Sequence, residues 1–332
     1  PVNLCGAIIT HGFFRRYKLD LRLANLSGAD LEGTNLQFSN FTGATLDGAN
    51  LKNADLSGAN FKSASLYKAN LTGADLFLIN LSNVNLIDAN LTNTNFQSAD
   101  LNNVIFEPRL ETIPAASYFL GAQHLWKMRF VSGPQALVSL RKRFREAGSR
   151  HHEREVTYAI RHTEVAKLLY DLPGISPPDT IPNQVDAYFR LIFFEFPTQW
   201  GMNPGRALII LLVLIPLFAV FYVIALHMRS EDGIWMDWSD ARIRKDLGSD
   251  EPMVLQLGWR SAVGYGFYFS VLSAFHIGWR DLNVGSWITR IQSREYTLRA
   301  TGWVRSVSGI QSLVSSYLVA IWVLTYFGRP FD

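Results

Sequence analysis

Six basic residues crowd one short stretch of this 332-residue chain: Arg141, Lys142, Arg143, Arg145, Arg150 and Arg154. From Lys127 to Arg154 there are eight bases and two acids. Cations at that density attract phosphate. They suit an anionic ligand, such as a nucleotide or short oligonucleotide, or the anionic headgroups of a lipid surface. A second set is Ser308, Ser312 and Ser315, three hydroxyls along one face of an uncharged stretch. They suit close helix packing through small residues, or a water-facing stripe. His151, His152 and His162 invite a metal reading. The chain has a single cysteine, Cys5, and no convincing carboxylate frame for a metal around these histidines. They read as ordinary polar histidines, and no metal or other cofactor is expected. No nucleophile–base pairing and no phosphate loop is evident, so an enzyme is not expected.

The elements that must position these groups differ along the chain. Gly133-Pro134 opens a helical pattern with Leu137, Leu140 and Phe144 on one face, and Gly148 suits its stop. A second helical pattern runs from about His151 to Tyr170, which gives a helical hairpin. Pro173, Pro177, Pro178 and Pro182 form a stiff linker. Tyr188–Phe196 reads as an aromatic, amphipathic segment at a membrane surface. Ala207–Leu226 is uncharged and long enough to cross a bilayer, and Ser306–Gly328 is a second such stretch. Between them lies uncharged Ser261–Trp279, bounded by Arg260 and Arg280. Hydrophobic content is 48% and charged content only 18%, in keeping with a chain partly in lipid.

The N-terminal third obeys a different rule. From Leu21 to Leu101 every fifth residue is Leu or Phe, and Phe106 ends the series. The residue two before is usually Ala, Ser, Thr or Val, and the one just before is usually Asn or Asp. A period of five fits neither helix nor strand. It fits a solenoid that turns a corner every five residues and buries one apolar side chain per turn.

Units such as Ala24-Asn25-Leu26-Ser27-Gly28 and Ala54-Asp55-Leu56-Ser57-Gly58 resemble the pentapeptide-repeat family. That resemblance implies a right-handed quadrilateral β-helix with four units per coil, and between four and five coils here. Departures are mild: Thr45 and Ser65 replace Asn or Asp, Ile79, Val84 and Val104 replace Ala, and Ile105 breaks the pattern at its end. Some members mimic DNA and bind topoisomerases, which needs a strongly acidic face. Residues 20–107 hold nine acids against four bases, and Lys52, Lys62 and Lys68 interrupt them. A rigid scaffold or oligomerisation platform is the preferred reading.

The C-terminal third looks like the pore-loop module of two-span cation channels: span, short pore helix, filter, span. His276-Ile277-Gly278-Trp279-Arg280-Asp281 stands where that module has its filter. Gly278 and Asp281 match the module's first glycine and aspartate, and Trp279 replaces its aromatic residue. Arg280 stands where a second glycine should be, and arginine resists the backbone that stacked carbonyls need. Potassium selectivity is therefore not implied. A re-entrant Ser261–Trp279 gives two spans, and a complete crossing gives three. The re-entrant arrangement is the preferred one, although three spans would satisfy the positive-inside rule for Arg290, Arg294, Arg299 and Arg305.

The expected fold class is thus a multidomain membrane protein: an N-terminal pentapeptide-repeat solenoid, a helical connector and an α-helical transmembrane pore domain. Expected boundaries are an N-terminal cap at 1–18, the β-helix at 19–107, and the basic connector with its Pro-rich linker at 108–182. An interfacial amphipathic helix follows at 183–203 and a channel domain at 204–332, with spans near 207–227 and 303–327 and the re-entrant segment near 259–281. The N-terminus lacks a secretory pattern, so the solenoid is expected in the cytoplasm, below a multi-pass inner-membrane domain. The expected function is a homo-oligomeric channel, a tetramer by the resemblance, with lipid, permeant ions and an anionic gating ligand as partners. Chains that join a soluble sensor to a pore resemble effectors of bacterial anti-phage defence. The alternative is a membrane-anchored scaffold that recruits a protein.

Overall fold

The computed structural model describes residues 3–8, 18–169, 181–227, 234–238, 253–254, 258–275, 296–300 and 302–327. The chain divides into two compact units, residues 1–202 and 203–330.

In the first unit, single-residue parallel bridges join each Asn/Asp position to the residue twenty places on. Asn25 pairs with Thr45, Asp30 with Asn50, Asn35 with Asp55 and Asn40 with Asn60. Four five-residue units therefore make one coil. Each corner is closed by a backbone bond, as from Ala24 N to Leu21 O at 3.1 Å. The residue two past each central Leu or Phe has positive φ, for example Gly28 at 65°, Gly43 at 68° and Asn53 at 54°. Glycine and asparagine take that conformation readily. The Asn or Asp before the central residue caps the corner with its side chain, as Asn25 Oδ1 accepting from Ser27 N at 3.1 Å. Neighbouring coils are also linked by side chains, with Asn50 Nδ2 donating to Asp30 Oδ1 at 2.9 Å. Inside, Leu26, Leu31, Leu36 and Phe41 are at most 1% exposed, as are Ala24 and Ala29. Ile79, Val84 and Val104, the larger substitutes for Ala, are accepted in the core.

The bridge ladder extends beyond the run of clean repeats. Asn3 pairs with Asn25 and Ile8 with Asp30 at the start, and Asp100 pairs with Gln123 and Ile105 with Arg129 at the end. Ile105 thus continues the ladder although its residue type departs from the pattern. In this last coil the spacing stretches, because short 3₁₀ turns at Leu110–Thr112, Ala116–Phe119 and Leu125–Lys127 replace five-residue corners. Phe119 fills its centre. It stacks on Phe96 at 5.0 Å and meets Phe106 and Phe144 edge-on at 6.3 and 5.7 Å.

Helix α1, Gln135–Glu146, buries Ala136, Leu137, Leu140 and Phe144. Gly148, at φ 73°, supplies the left-handed residue that ends it. Helix α2, Arg150–Leu169, adds Val156, Ala159 and Ile160 to the same apolar core, which runs on from Ala24. The basic hairpin is therefore the lid of the solenoid, covering the apolar end that a last coil cannot bury by itself. Helix α3, Ile181–Arg190, continues into a π turn at Leu191–Glu195 and a last helical turn at Phe196–Thr198. The wider π turn accommodates Pro197, which has no N–H to give. The helical run ends where Gln199, Trp200 and Gly201 take positive φ in succession.

The second unit holds helices α4, Gly205–His227, α5, Trp259–Phe275, and α6, Gly302–Phe327. It also holds a small antiparallel sheet in the order β2–β1–β3, made of β1, Ile234–Trp238, β2, Met253–Val254, and β3, Tyr296–Ala300. Trp235 pairs with Arg299, and Met236 with both Leu298 and Met253. The sheet is a departure from the all-helical expectation. The alternating basic and apolar residues before Ala300 read as a lipid-interface segment, and alternation is equally the signature of a strand. Helices α4 and α6 are long and apolar enough to cross a membrane. Only 33% of the most apolar stretch of α4 and 22% of that of α6 is buried within the chain. Helices of a soluble core would be mostly covered.

Candidate functional site

The three helices of the second unit start and end in a fixed pattern. Leu226 near the end of α4, Ala262 near the start of α5, Val304 near the start of α6 and Ile234 of β1 share one buried cluster. β1 follows α4, β2 precedes α5, β3 precedes α6, and β1 pairs with both other strands. The end of α4 and the starts of α5 and α6 therefore lie at one end of the bundle. α5 runs back along α4: Phe269 meets Tyr222 edge-on at 4.7 Å, and Gly266 faces Ala219 and Val223. The chain that leaves this end with α5 is back at it by Tyr296.

A buried polar network crosses the middle of the bundle. Tyr222 Oη donates to Gln311 Oε1 at 2.7 Å. Gln311 Nε2 donates to Ser270 Oγ at 2.8 Å and to its carbonyl at 3.0 Å. Ser270 Oγ donates to the Ile215 carbonyl at 2.6 Å. Ser308 donates to Ser273 at 3.0 Å. In a medium without water such groups must satisfy one another, and here they do so across three helices. Of the serine stripe, Ser308 is thus occupied by α5, Ser315 is buried, and Ser312 is half-buried. Within one chain the stripe faces neighbouring helices. His276, Ile277, Gly278, Trp279, Arg280 and Asp281 lie outside the described residues.

The basic set is spread over the solenoid lid. Arg145 Nε binds the buried Glu153 at 2.7 Å, so its charge is committed inside the fold. Lys142 lies 3.9 Å from Glu146 on the exposed face of α1. Arg150 is exposed at the start of α2, and Arg141, Arg143 and Arg154 are half-buried. The pattern is a divided surface with Lys142 and Arg150 outermost.

His152, His162 and His124 each find a partner. His152 stacks on Phe144 at 5.1 Å and bonds Ser149 at 2.7 Å. Burial lowers its pKa, with His151 adding to the effect. His162 Nδ1 lies 2.8 Å from Glu195 Oε1. Burial raises the Glu195 pKa, but the bonds from His162 and Tyr158 more than reverse this, and the carboxyl ends below its ordinary value. His124, in a left-handed turn at φ 61°, lies 2.7 Å from Asp100. Among the described residues no three metal-ligating side chains gather into a site. Sequence reasoning missed Glu195, His124 and Asp100, whose partners lie 24 to 33 residues away. It also missed Glu155, a buried acid on α2. Burial raises its pKa above 4.5, with His151 and His124 pulling the other way.

A raised folded-state pKa means that ionising Glu155 costs stability as pH climbs. Glu155→Gln is therefore expected to melt higher than the parent near neutral pH. The advantage should fade as pH falls to about 4.5, where the parent carboxyl is neutral too. Thermal melts that show the same gap at every pH would contradict this.

A parallel solenoid of four five-residue units per coil is the architecture these residues build. The pentapeptide-repeat family profile matches residues 2–37, 20–58, 39–76 and 79–107. A solved pentapeptide repeat protein, Rfr23 from the cyanobacterium Cyanothece 51142, is 30% identical over 32% of this chain and 84% of its own, with a TM-score of 0.30. The repeats of residues 2–107 are those of the pentapeptide-repeat family, whose profile they match. HetL from Nostoc sp. strain PCC 7120, involved in heterocyst differentiation regulation, is 26% identical over 36% of this chain and 56% of its own, at a TM-score of 0.25. A thylakoid-lumen pentapeptide repeat protein from Arabidopsis thaliana is 32% identical over 27% of this chain and 66% of its own, at 0.22. No curated protein sequence matches the chain.

Proposed function

We propose that this chain is a homo-oligomeric membrane channel of the bacterial inner membrane, with its solenoid in the cytoplasm. The observation that carries the reading is the gathering of three helix termini at one end of the bundle. A helix that leaves that end, followed by a chain that returns to it before the next helix, is the path of a pore-loop module. The return favours a re-entrant α5 over three complete crossings, since a complete crossing would deliver β3 to the other end. At about 1.5 Å per residue the 17-residue α5 is some 25 Å long, shorter than the roughly 30 Å hydrocarbon layer, whereas α4 and α6 exceed it. Residues His276 to Asp281 follow α5 directly and form the candidate filter. On α6 the exposed small residues Ser306, Gly309 and Ala320 are the ones left to face water or a companion copy. Four copies follow from the channel resemblance. An anionic ligand on the lid, near Lys142 and Arg150, would gate the pore only if it bound open and closed states unequally. A nucleotide signal in anti-phage defence is one such ligand source.

Planar-bilayer recording of the purified protein, with and without nucleotides, tests this. Discrete current steps are expected, and Gly278→Leu should abolish them while leaving assembly intact. Silence from folded, assembled protein under every condition would favour a membrane-anchored scaffold instead. That second reading has its own support on the solenoid. Leu23, Phe38 and Leu78 occupy left-handed corners at φ 56–58° and expose their apolar side chains. Bulky residues are uncommon in that conformation, and these look outward to a partner.

A further inference from the structure

Helix α3 has two faces of opposite character within the first unit. Its inner face carries Ala187, Leu191 and Phe194. Leu191 and Phe194 pack with Tyr158, Val165 and Trp200, and the Phe194 ring stacks on Trp200 at 5.4 Å. Glu195 sits at the edge of that contact, where His162 at 2.8 Å and Tyr158 at 3.2 Å converge on the same Oε1. The outer face carries Val185, Tyr188, Phe189, Ile192, Phe193 and Phe196, each between 39% and 61% exposed. Their spacing of three, one, three, one and three residues is that of a single apolar stripe along a helix. Asp186 and Arg190, paired at 2.8 Å, mark one flank.

Six large apolar side chains in one exposed row are costly to leave in water. Six residues of chain separate Thr198 from Gly205, seven Cα steps or roughly 25 Å at full stretch. The helix so tethered, α4, is long and apolar enough to cross a membrane. Aromatic rings with an ion pair at the flank suit the boundary between headgroups and acyl chains. We propose that α3 seats the soluble unit on the lipid surface through the stripe from Val185 to Phe196, and that the Glu195–His162–Tyr158 clasp fixes which face of the helix meets the lipid. The inference rests on α4 being a span. It deepens the channel reading by making α3 the part through which the solenoid lid is joined to the bilayer. Glu195 acts as a positioning residue: it grips α2 and leaves the stripe outward.

The test uses the full chain in phosphatidylcholine–phosphatidylglycerol nanodiscs. Cys5→Ser removes the native thiol, and single cysteines carry an environment-sensitive fluorophore. Nitroxide lipids quench from a shallow or a deep position. Labels at Phe189→Cys and Ile192→Cys are expected to lose most of their signal to the shallow quencher. A label at Val138→Cys on α1 should lose none, and one at Leu212→Cys on α4 should respond to the deep quencher. Glu195→Gln is expected to let α3 rotate, so that the label at Phe189→Cys is quenched less and one at Phe194→Cys more. Glu195→Asp should restore the original pattern, and Tyr158→Phe should give a partial shift. Labels at Phe189 and Ile192 that ignore both quenchers, with Leu212 responding, would overturn the seating of α3 while sparing the span. Blue-shifted but unquenched labels there would assign the stripe to a second copy or another protein. No response at Leu212 would remove the span, and the proposal with it. An unchanged pattern in Glu195→Gln would overturn the clasp.

Discussion

Gly266→Leu is expected to leave no folded three-helix unit. A Cβ at Gly266 would lie 2.5 Å from Val223 Cγ2, 3.0 Å from Val223 N and 3.1 Å from Ala219 O. Two of those three atoms are backbone, so relief requires α4 and α5 to move apart. Overpacking of a close-packed contact costs about 1–3 kcal/mol, and often more where backbone must shift. Separation would also lengthen the bond from Ser270 to the Ile215 carbonyl and unseat Gln311, leaving its buried polar atoms without partners. Gly266→Ala already adds the offending atom and should show a smaller loss of the same kind. Gly264→Ala is the control, because nothing lies within 4 Å of a Cβ there. Size-exclusion profiles in detergent and thermal melts separate these outcomes. A Gly266→Leu protein that elutes and melts like the parent would show that α4 and α5 do not cross there.

Phe119→Ala should be the most damaging single truncation in the first unit. The ring is fully buried and touches Phe96, Phe106 and Phe144, so it joins the last coil to the lid. Phe→Ala in a core costs about 3–5 kcal/mol. In a solenoid, where each coil has only its neighbours, that loss falls on the closing contact and should fray the end inward. Urea titration should show a lower midpoint, with early loss of amide protection around Gln123 and Arg129. Phe77→Ala, on the outer surface, should change stability by less than about 0.5 kcal/mol. Equal midpoints for the two variants would mean that the lid does not close the solenoid.

Much of the solenoid was readable because its rule is local. One apolar residue in five, a small residue two before it and an Asn or Asp between them name the inward, packed and corner-capping positions, and Leu26, Ala24 and Asn25 do as that rule says. The last coil was not readable: between Asp100 and Gln123 the spacing lengthens and 3₁₀ turns take over, so the period dissolves while the bridges persist. The helices α1 and α2 were visible from their apolar spacing, but their role as a lid depends on Phe144 reaching Phe119, a contact between segments with unrelated patterns. The serine stripe showed its face on α6 without showing what that face meets, since Ser273 lies 35 residues away. The small sheet was hidden for the same reason: its pairing joins strands some sixty residues apart.

The step of twenty residues between bridged positions, held from Asp20 to Ile105, has a consequence for how such a chain changes length. An insertion of a whole coil raises the lid by one storey and leaves its basic side facing the same compass point. An insertion of a single five-residue unit turns everything above it by a quarter revolution. Paralogues that differ by multiples of twenty in this region should therefore keep the orientation of Lys142 and Arg150 relative to the ground-floor face at Asn25, and those that differ by five should not.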